Sequence, residues 1–339
     1  MKRFLDLNDF TREEVLSLLE LARRLERTPE PRALAGKILG LLFFNPSLRT
    51  LASFQVAMAR LGGNSFVISP GQGSWQLEMR SAVVMDGAAA EHVREGLPVL
   101  AAYADALGIR AFAEGKDLAH DLAETHFKLM ASLIDKPLIN LESAVNHPCQ
   151  ALADWKTLDD LAVPRTARFV LSWAYHPRAL PLAVPAAALH MAALRGMEVI
   201  VLRPEGFALP APIMERARRA AALAGGSVRE TSERADALPG AQVLYVKEWG
   251  ATSAYGDAAE DARLRAALRG WCVREDWFGT ASQCRVMHCL PVRRNTAIAD
   301  EVLDGPRSLV QREAYNRLPA QMAVLHRLLG SRAAKESAP

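Results

Sequence analysis

Cysteine is scarce in this chain: four in 339 residues (Cys149, Cys272, Cys284, Cys289), with no C-x-x-C pair and no dense framework. That excludes a disulfide scaffold and points to a reducing, cytosolic setting. Metal-ligand spacing is equally absent. His147/Cys149 and His288/Cys289 are near neighbours in sequence, but they lack the separations between ligand pairs that zinc sites use, so no metal is expected. No G-x-G-x-x-G opens either half, which argues against a dinucleotide, and no cofactor is expected. No apolar run is long and charge-free enough to span a bilayer, and the start, Met1-Lys2-Arg3-Phe4-Leu5-Asp6, lacks the apolar stretch of a signal peptide. A formal net charge of +3 is too mild for a nucleic-acid stripe and suits small anionic substrates better.

What is present is apolar mass with a regular grammar. Half the residues are hydrophobic, enough for a sizeable core, and the length predicts two domains. Short apolar runs alternate with helical stretches, which predicts an α/β protein with parallel sheets. Strands are expected at Ile38–Phe44, Ser65–Ile68, Ala106–Ile109 and Pro137–Leu141. After a break at Val163-Pro164-Arg165, further strands are expected at Arg168–Trp173, Met197–Leu202, Gln242–Val246 and Arg285–Cys289. Helices are expected at Thr11–Leu25, Arg49–Leu61, His147–Leu161, Pro212–Ala224 and Arg312–Leu329. The architecture is then two Rossmann-like domains with parallel sheets and linking helices, facing each other across a cleft. The first domain covers 1–145 and is completed by a C-terminal helix over 312–330. A linking helix occupies 146–164, and the second domain covers 165–311. The residues after Gly330 are polar and expected to fray.

Polar chemistry clusters after the predicted strands, where open parallel sheets bind ligands. At Phe43-Phe44-Asn45-Pro46-Ser47-Leu48-Arg49-Thr50 an apolar run stops and an amphipathic helix begins. Free backbone N–H groups, the positive end of the helix dipole and the Arg49 fork make an anion site there. An ordinary capped helix is the bland alternative, since Ser and Thr are favoured at that position anyway. The other clusters are Arg110, Glu142 with His147-Pro148-Cys149-Gln150, Tyr175-His176-Pro177-Arg178, Lys247 with Trp249, and His288-Cys289-Leu290-Pro291-Val292-Arg293-Arg294. Singly, each reads as a surface arginine, a capping histidine or a packed cysteine. Jointly they read as a site, because basic and amide side chains recur at strand ends while strand bodies stay apolar. A thiol hydrolase built on Cys289 and His147 is a further possibility, with nothing to set its nucleophile apart from a packed cysteine.

Ser47-Leu48-Arg49-Thr50, His147-Pro148-Cys149-Gln150 and His288-Cys289-Leu290-Pro291, in this order and with Arg110, resemble the aspartate/ornithine carbamoyltransferases from Phe4 to about Leu329. Within that superfamily the chain is similar to the N-acylornithine branch. The marks are Gln72-Gly73-Ser74-Trp75, Val84-Met85-Asp86-Gly87, Tyr175-His176-Pro177-Arg178, Lys247-Glu248-Trp249 and Leu290-Pro291-Val292-Arg293-Arg294-Asn295. Ornithine enzymes carry an Asp and a Ser-Met-Gly where this chain has Tyr245–Gly250. That Asp holds the α-ammonium, and a buried ammonium without it is costly, so an acylated α-nitrogen fits.

The resemblance implies a cytoplasmic homotrimer with shared sites and carbamoyl phosphate as donor. The donor would be held by Ser47, Leu48, Arg49, Thr50, Arg110, His147, Pro148, Cys149, Gln150, Cys289, Leu290 and Arg317, with Trp75 reaching in from a neighbouring subunit. Thr50, Arg110 and His147 would stabilise the oxyanion beside Arg49, Gln150 would orient the carbamoyl NH₂, and Cys289 with the Leu290 carbonyl would orient the amine. Glu142, His176, Lys247, Leu290 and Arg293 would grip the acylornithine, and Ala90 with Arg178 would set acyl preference. Acetyl-preferring members carry Glu at the place of Ala90 and a modified lysine at that of Ala297. A Glu there would repel a succinyl carboxylate, and Pro181 and Pro185 match the succinyl type, so N-succinylornithine is the expected acceptor. It would give N-succinylcitrulline and phosphate, in arginine biosynthesis. The alternatives are N-acetylornithine in the same reaction, or a non-catalytic binding module. The last is motivated by Leu51, which stands where the family has a further arginine.

Overall fold

The computed structural model describes residues 1–279, 281 and 283–330, so the polar tail after Gly330 lies outside the described residues. Strands β1 (Arg3–Phe4), β2 (Ile38–Phe43), β3 (Asn64–Ile68), β6 (Ala106–Arg110) and β7 (Leu138–Glu142) form one sheet in the order β1-β7-β6-β2-β3. Between β3 and β6, β4 (Leu77–Glu78) and β5 (Glu91–His92) pair as a small ribbon. A second sheet, in the order β10-β9-β8-β11-β12, contains β8 (Arg168–Trp173), β9 (Glu198–Leu202), β10 (Ser227–Thr231), β11 (Ala241–Lys247) and β12 (Arg285–Met287). Every strand pairing in both sheets is parallel.

Central strands such as Leu39-Gly40-Leu41-Leu42 are buried on both faces, which is why they read as unbroken apolar runs. In the second sheet the chain steps outward from β8 to β10 and returns to β11 on the other side of β8. In the first it steps from β2 to β3 and returns to β6. Each reversal opens a crevice at the carboxyl ends of the strands. The Ser47 turn follows β2, Arg110 ends β6, and Lys247 ends β11 beside β8.

Four helices tie the molecule together. Arg12–Arg27 starts on a capping box between Thr11 and Glu14. The C-terminal helix, Val310–Leu329, packs against Pro148–Asp160, Arg12–Arg27 and Leu48–Arg60. Lys156 is fully buried at that junction. Its Nζ donates to Glu26 Oε2 (2.6 Å), Asp160 Oδ2 (2.8 Å) and Asn316 Oδ1 (3.2 Å), so one ammonium ties together three helices. Among the described residues no helix is long and apolar enough to cross a membrane.

Expected and observed elements differ where periodicity is weak. Strand β10 (Ser-Val-Arg-Glu-Thr) was not anticipated, because an edge strand of this polarity carries little alternation. Helix Ala183–Arg195 was not anticipated either. It is buried on nearly every side, and an all-round apolar helix shows no stripe. The strand expected over Arg285–Cys289 ends at Met287, leaving His288 and Cys289 in the loop that follows.

Candidate functional site

Fourteen of the expected site residues border one cavity of about 560 Å³ between the two sheets. They are Ser47, Leu48, Arg49, Thr50, Arg110, Glu142, His147, Gln150, His176, Lys247, Cys289, Leu290, Arg293 and Arg317. Phe112, Leu180, Pro181 and Val184 also line it. Five cationic side chains (Arg49, Arg110, Lys247, Arg293, Arg317) face it against one carboxylate, Glu142, so the cavity selects for anions.

Ser47 caps the Leu48–Arg60 helix, its Oγ accepting from Thr50 N–H at 3.3 Å. That leaves the Leu48 and Arg49 amides at the helix start without an intrahelical acceptor. Thr50 is fully buried, and its Oγ1 accepts from Arg317 Nη2 at 2.6 Å, so the last helix reaches the turn after β2. Arg110 pairs with Glu142 and donates to the Asn45 carbonyl at 3.2 Å.

Four buried polar atoms among these side chains have no partner: Arg49 Nε, His147 Nδ1, Gln150 Oε1 and Arg317 Nε. Leaving such groups unsatisfied is costly, and a polar ligand that reaches them recovers the loss. Burial, reinforced by Arg317, Arg110 and Arg49, pushes the His147 imidazole well below its ordinary value. His147 is therefore neutral, although its Nε2 lies 3.4 Å from the Glu142 carboxylate. Burial likewise lowers Arg49 and Arg317.

The other wall is organised by Glu248. Lys247 Nζ donates to Glu248 Oε2 at 2.7 Å, and His288 Nε2 lies 3.3 Å from the same oxygen. Burial opposes the Lys247 charge, but the Glu248 carboxylate still holds the ammonium above its usual value. His288 Nδ1 accepts the Leu290 N–H at 2.9 Å, which fixes the turn of Leu290. Leu290 takes φ = 58° and is cis to Pro291; a leucine in the left-handed region is backbone strain of the kind concentrated at functional sites. Arg293 Nε donates to His176 Nε2 at 2.9 Å, and His176 Nδ1 lies 2.8 Å from the Arg178 carbonyl and 3.0 Å from the Arg178 N–H, so both ring nitrogens are held. Cys289 is a buried thiol pushed up to about 12 by burial, which makes it a poor nucleophile.

Five expected residues do not line the cavity. Pro148 and Cys149 are buried in the first turn of their helix, behind His147 and Gln150. Arg178 is exposed, as are Ala90 and Trp75. Trp75 lies just before β4 and Ala90 just before β5, and Trp75 Nε1 donates to Glu91 Oε2 at 2.9 Å, so both flank the ribbon. Leu51 packs against the main core and does not line the cavity. Asp154 and Glu313, buried behind Gln150, belong to none of the sequence motifs. The available signal was spacing: each stands one helical turn from an expected site residue, Gln150 or Arg317.

A two-domain parallel α/β fold whose interdomain cleft is built to hold a small polyanion defines the class. The family profile described as aspartate/ornithine carbamoyltransferase, carbamoyl-P binding domain, matches residues 2–160, and the Asp/Orn binding domain profile matches 184–328. The N-acetylornithine carbamoyltransferase of Xanthomonas campestris pv. campestris is 36% identical over 334 residues, covering 97% of this chain and 98% of the relative. The N-succinylornithine carbamoyltransferase of Bacteroides fragilis is 34% identical over 294 residues, covering 87% and 88%. A crystal structure of N-acetyl-L-ornithine transcarbamylase, a glutamate-to-alanine variant complexed with carbamyl phosphate and N-succinyl-L-norvaline, superposes with a TM-score of 0.93 at 36% identity, covering 97% of this chain and 100% of that one. The chain belongs to the aspartate/ornithine carbamoyltransferase family and is a carbamoyltransferase of its N-acylornithine branch.

Proposed function

We propose that the protein transfers the carbamoyl group of carbamoyl phosphate to the δ-amine of N-succinyl-L-ornithine, giving N-succinyl-L-citrulline and phosphate, as a step of arginine biosynthesis. The observation that carries the donor is the set of unpartnered atoms, Arg49 Nε, His147 Nδ1, Gln150 Oε1 and Arg317 Nε, around one cationic cavity. The phosphate lies at the Ser47–Thr50 helix start against Arg49. The carbonyl oxygen faces Thr50, Arg110 and His147, and the carbamoyl NH₂ faces Gln150. The neutral δ-amine, oriented by Cys289 and the Leu290 carbonyl, attacks the carbamoyl carbon. The resulting oxyanion collapses with cleavage of the bond to phosphate, which leaves with the amine's proton. Donors preorganised at a developing charge contribute about 3–4 kcal/mol each. Glu142, His176, Lys247 and Arg293 grip the acylated amino acid.

The succinyl group is supported by Ala90, which the family resemblance puts where acetyl-preferring members carry Glu, and by the crystallisation of a glutamate-to-alanine variant of the related transcarbamylase with N-succinyl-L-norvaline. N-acetyl-L-ornithine is the second reading. The acetyl enzyme of Xanthomonas favours it, matching over more of the chain than the succinyl enzyme of Bacteroides.

Leu48 (81%), Trp75 (61%) and Val84 (78%) are exposed apolar side chains of the first domain, as Leu223 (91%) is of the second. Solvent is a poor environment for such a set, and we take it as covered by neighbours in a homotrimer, with Trp75 and Ala90 serving the adjacent cleft. Domain limits of 1–145 with 312–330, and 165–311, with a linking helix over 146–164, accompany this reading. The four unpaired thiols are in keeping with the cytoplasm. The test is phosphate release from carbamoyl phosphate by purified protein given ornithine, N-acetylornithine or N-succinylornithine. Turnover is expected with the acylated acceptors and fastest with succinyl. Equal rates with and without acceptor overturn the transfer reading.

A further inference from the structure

Two carboxyls behind Gln150 have no part in the reaction as written. Glu313, on the C-terminal helix, is fully buried, and Asp154, on the Pro148–Asp160 helix, is 1% exposed. Glu313 Oε2 accepts the His288 N–H at 2.8 Å, and its Oε1 accepts from Gln150 Nε2 at 3.2 Å. Asp154 Oδ1 accepts from the same Gln150 nitrogen at 2.8 Å. A primary amide has both donors at one end and its oxygen at the other. With both donors committed, Gln150 keeps one unsatisfied polar atom, the buried Oε1, on a side chain that lines the cavity. As placed, the amide satisfies both of its donors; flipped, it strands both and finds at most the one proton that the carboxyl pair holds, so the surroundings favour this orientation.

We propose that Asp154 and Glu313 are positioning residues that lock the Gln150 amide with its carbonyl toward the cavity, and thereby select a donor phosphate bearing N–H over isosteric acyl phosphates. The inference rests on the carbamoyl phosphate reading above. The carbamoyl NH₂ donates to a fixed acceptor. An acetyl phosphate puts a methyl group there and leaves the acceptor unpaired, and a carboxy phosphate puts a second oxygen there and is repelled. Asp154 is pushed up to about 6 and Glu313 well above its ordinary value, both first by burial, so the pair retains a proton and avoids two uncompensated charges. Because Glu313 also holds His288 N–H, one carboxyl sets both Gln150 and the start of the His288–Pro291 loop.

The experiment compares the affinities of carbamoyl phosphate and acetyl phosphate for wild type, Glu313→Gln and Asp154→Asn. Each variant keeps the side-chain shape but brings an NH₂ group toward the Gln150 donors, which favours the flipped amide. Carbamoyl phosphate is expected to weaken by about tenfold or more in each variant. Acetyl phosphate should change little, so that discrimination narrows, and in Asp154→Asn, which leaves the Glu313 contact to His288 N–H in place, the KM of the acylornithine should stay near wild type. Parallel weakening of both phosphates, or an unchanged ratio, overturns the proposal; a purely structural role predicts the parallel loss. If one variant fails to fold, the ratio measured in the other decides. Wild type that binds neither phosphate overturns the donor reading itself, and this selection with it.

Discussion

Arg49 combines three properties at one point: it stands in the first turn of a helix, it lines the cationic cavity, and its buried Nε has no partner. If it meets charge that grows on the way to the transition state, Arg49→Ala loses about a hundredfold or more in turnover. Steady-state rates of phosphate release check this, and near-normal turnover would remove Arg49 from the mechanism. Ala90 makes the second residue-level prediction. Ala90→Glu adds a negative charge beside the ribbon that Trp75 also flanks, and is expected to shift the ratio of kcat/KM from succinyl toward acetyl substrate by roughly tenfold. An unchanged ratio removes the main support for succinyl. At this scale the sequence was legible for residues in contiguous motifs and blind to those acting from behind. Ser47–Thr50 and His147–Gln150 stand out because unusual side chains follow apolar strands. Glu313 and Asp154 look in sequence like ordinary polar positions on helices, and only packing reveals that they have no water around them.

The elements tell a similar story of signal and masking. Strands β2, β6, β7, β8, β9 and β11 were legible because parallel strands covered on both faces are continuous apolar runs. Helix Ala183–Arg195 fails the opposite way: its Ala-rich, buried surface has no polar side to mark the period. The C-terminal helix was legible as a helix, but its role was visible only through Arg317, whereas its buried face also carries Glu313, Asn316 and Gln321. Lys156 fastens that helix to two others. Replacing it with methionine leaves Glu26 without its ammonium, while Asp160 keeps Arg312 at 2.9 Å. Breaking a buried pair by removing one partner costs about 3–5 kcal/mol, and Lys156→Met is expected near the lower end because Glu26 is partly hydrated. Urea unfolding measures it, and a loss below about 1 kcal/mol would mark the network as no stronger than a surface pair.

At the scale of the molecule, stability should carry the imprint of its buried imidazoles. His190 is buried between the Ala183–Arg195 and Ala211–Ala224 helices, with Arg216 and Asp6 nearby. Its Nε2 faces the Ile213 carbonyl at 3.0 Å, and burial pushes it down to about 4. Between the ordinary histidine value near 6.5 and about 4, the unfolded chain binds a proton there that the folded chain refuses. Stability from this group is therefore full above about 6.5 and is lost as pH falls toward 4. Asp154 and Glu313, raised by burial, act with the opposite sign and obscure the effect in wild type alone. They cancel in a comparison with His190→Asn, since distant sites add. The stability difference between the two proteins should shrink by on the order of 3 kcal/mol from pH 7 to pH 4, measured by urea unfolding. A difference independent of pH shows that His190 is protonated in place.

The proposed sharing of sites between copies carries a test that no single chain can pass. Arg49 lines its own chain's cavity, whereas Trp75 is exposed beside the β4–β5 ribbon and does not line it. In the proposed trimer each cleft therefore takes Arg49 from one copy and Trp75 from the next. Arg49→Ala and Trp75→Ala homotrimers are both expected to be nearly inactive. In trimers reassembled from an equal mixture, a chain with intact Arg49 meets a neighbour with intact Trp75 at about a quarter of the clefts, and activity should return to that fraction of wild type. Recovery of this kind requires that the two side chains come from different copies. A mixture no more active than its parents, under conditions where subunit exchange is verified by mass, would place Trp75 outside the neighbouring site. The exposed tryptophan would then be left as an uncovered apolar patch with no part in the reaction.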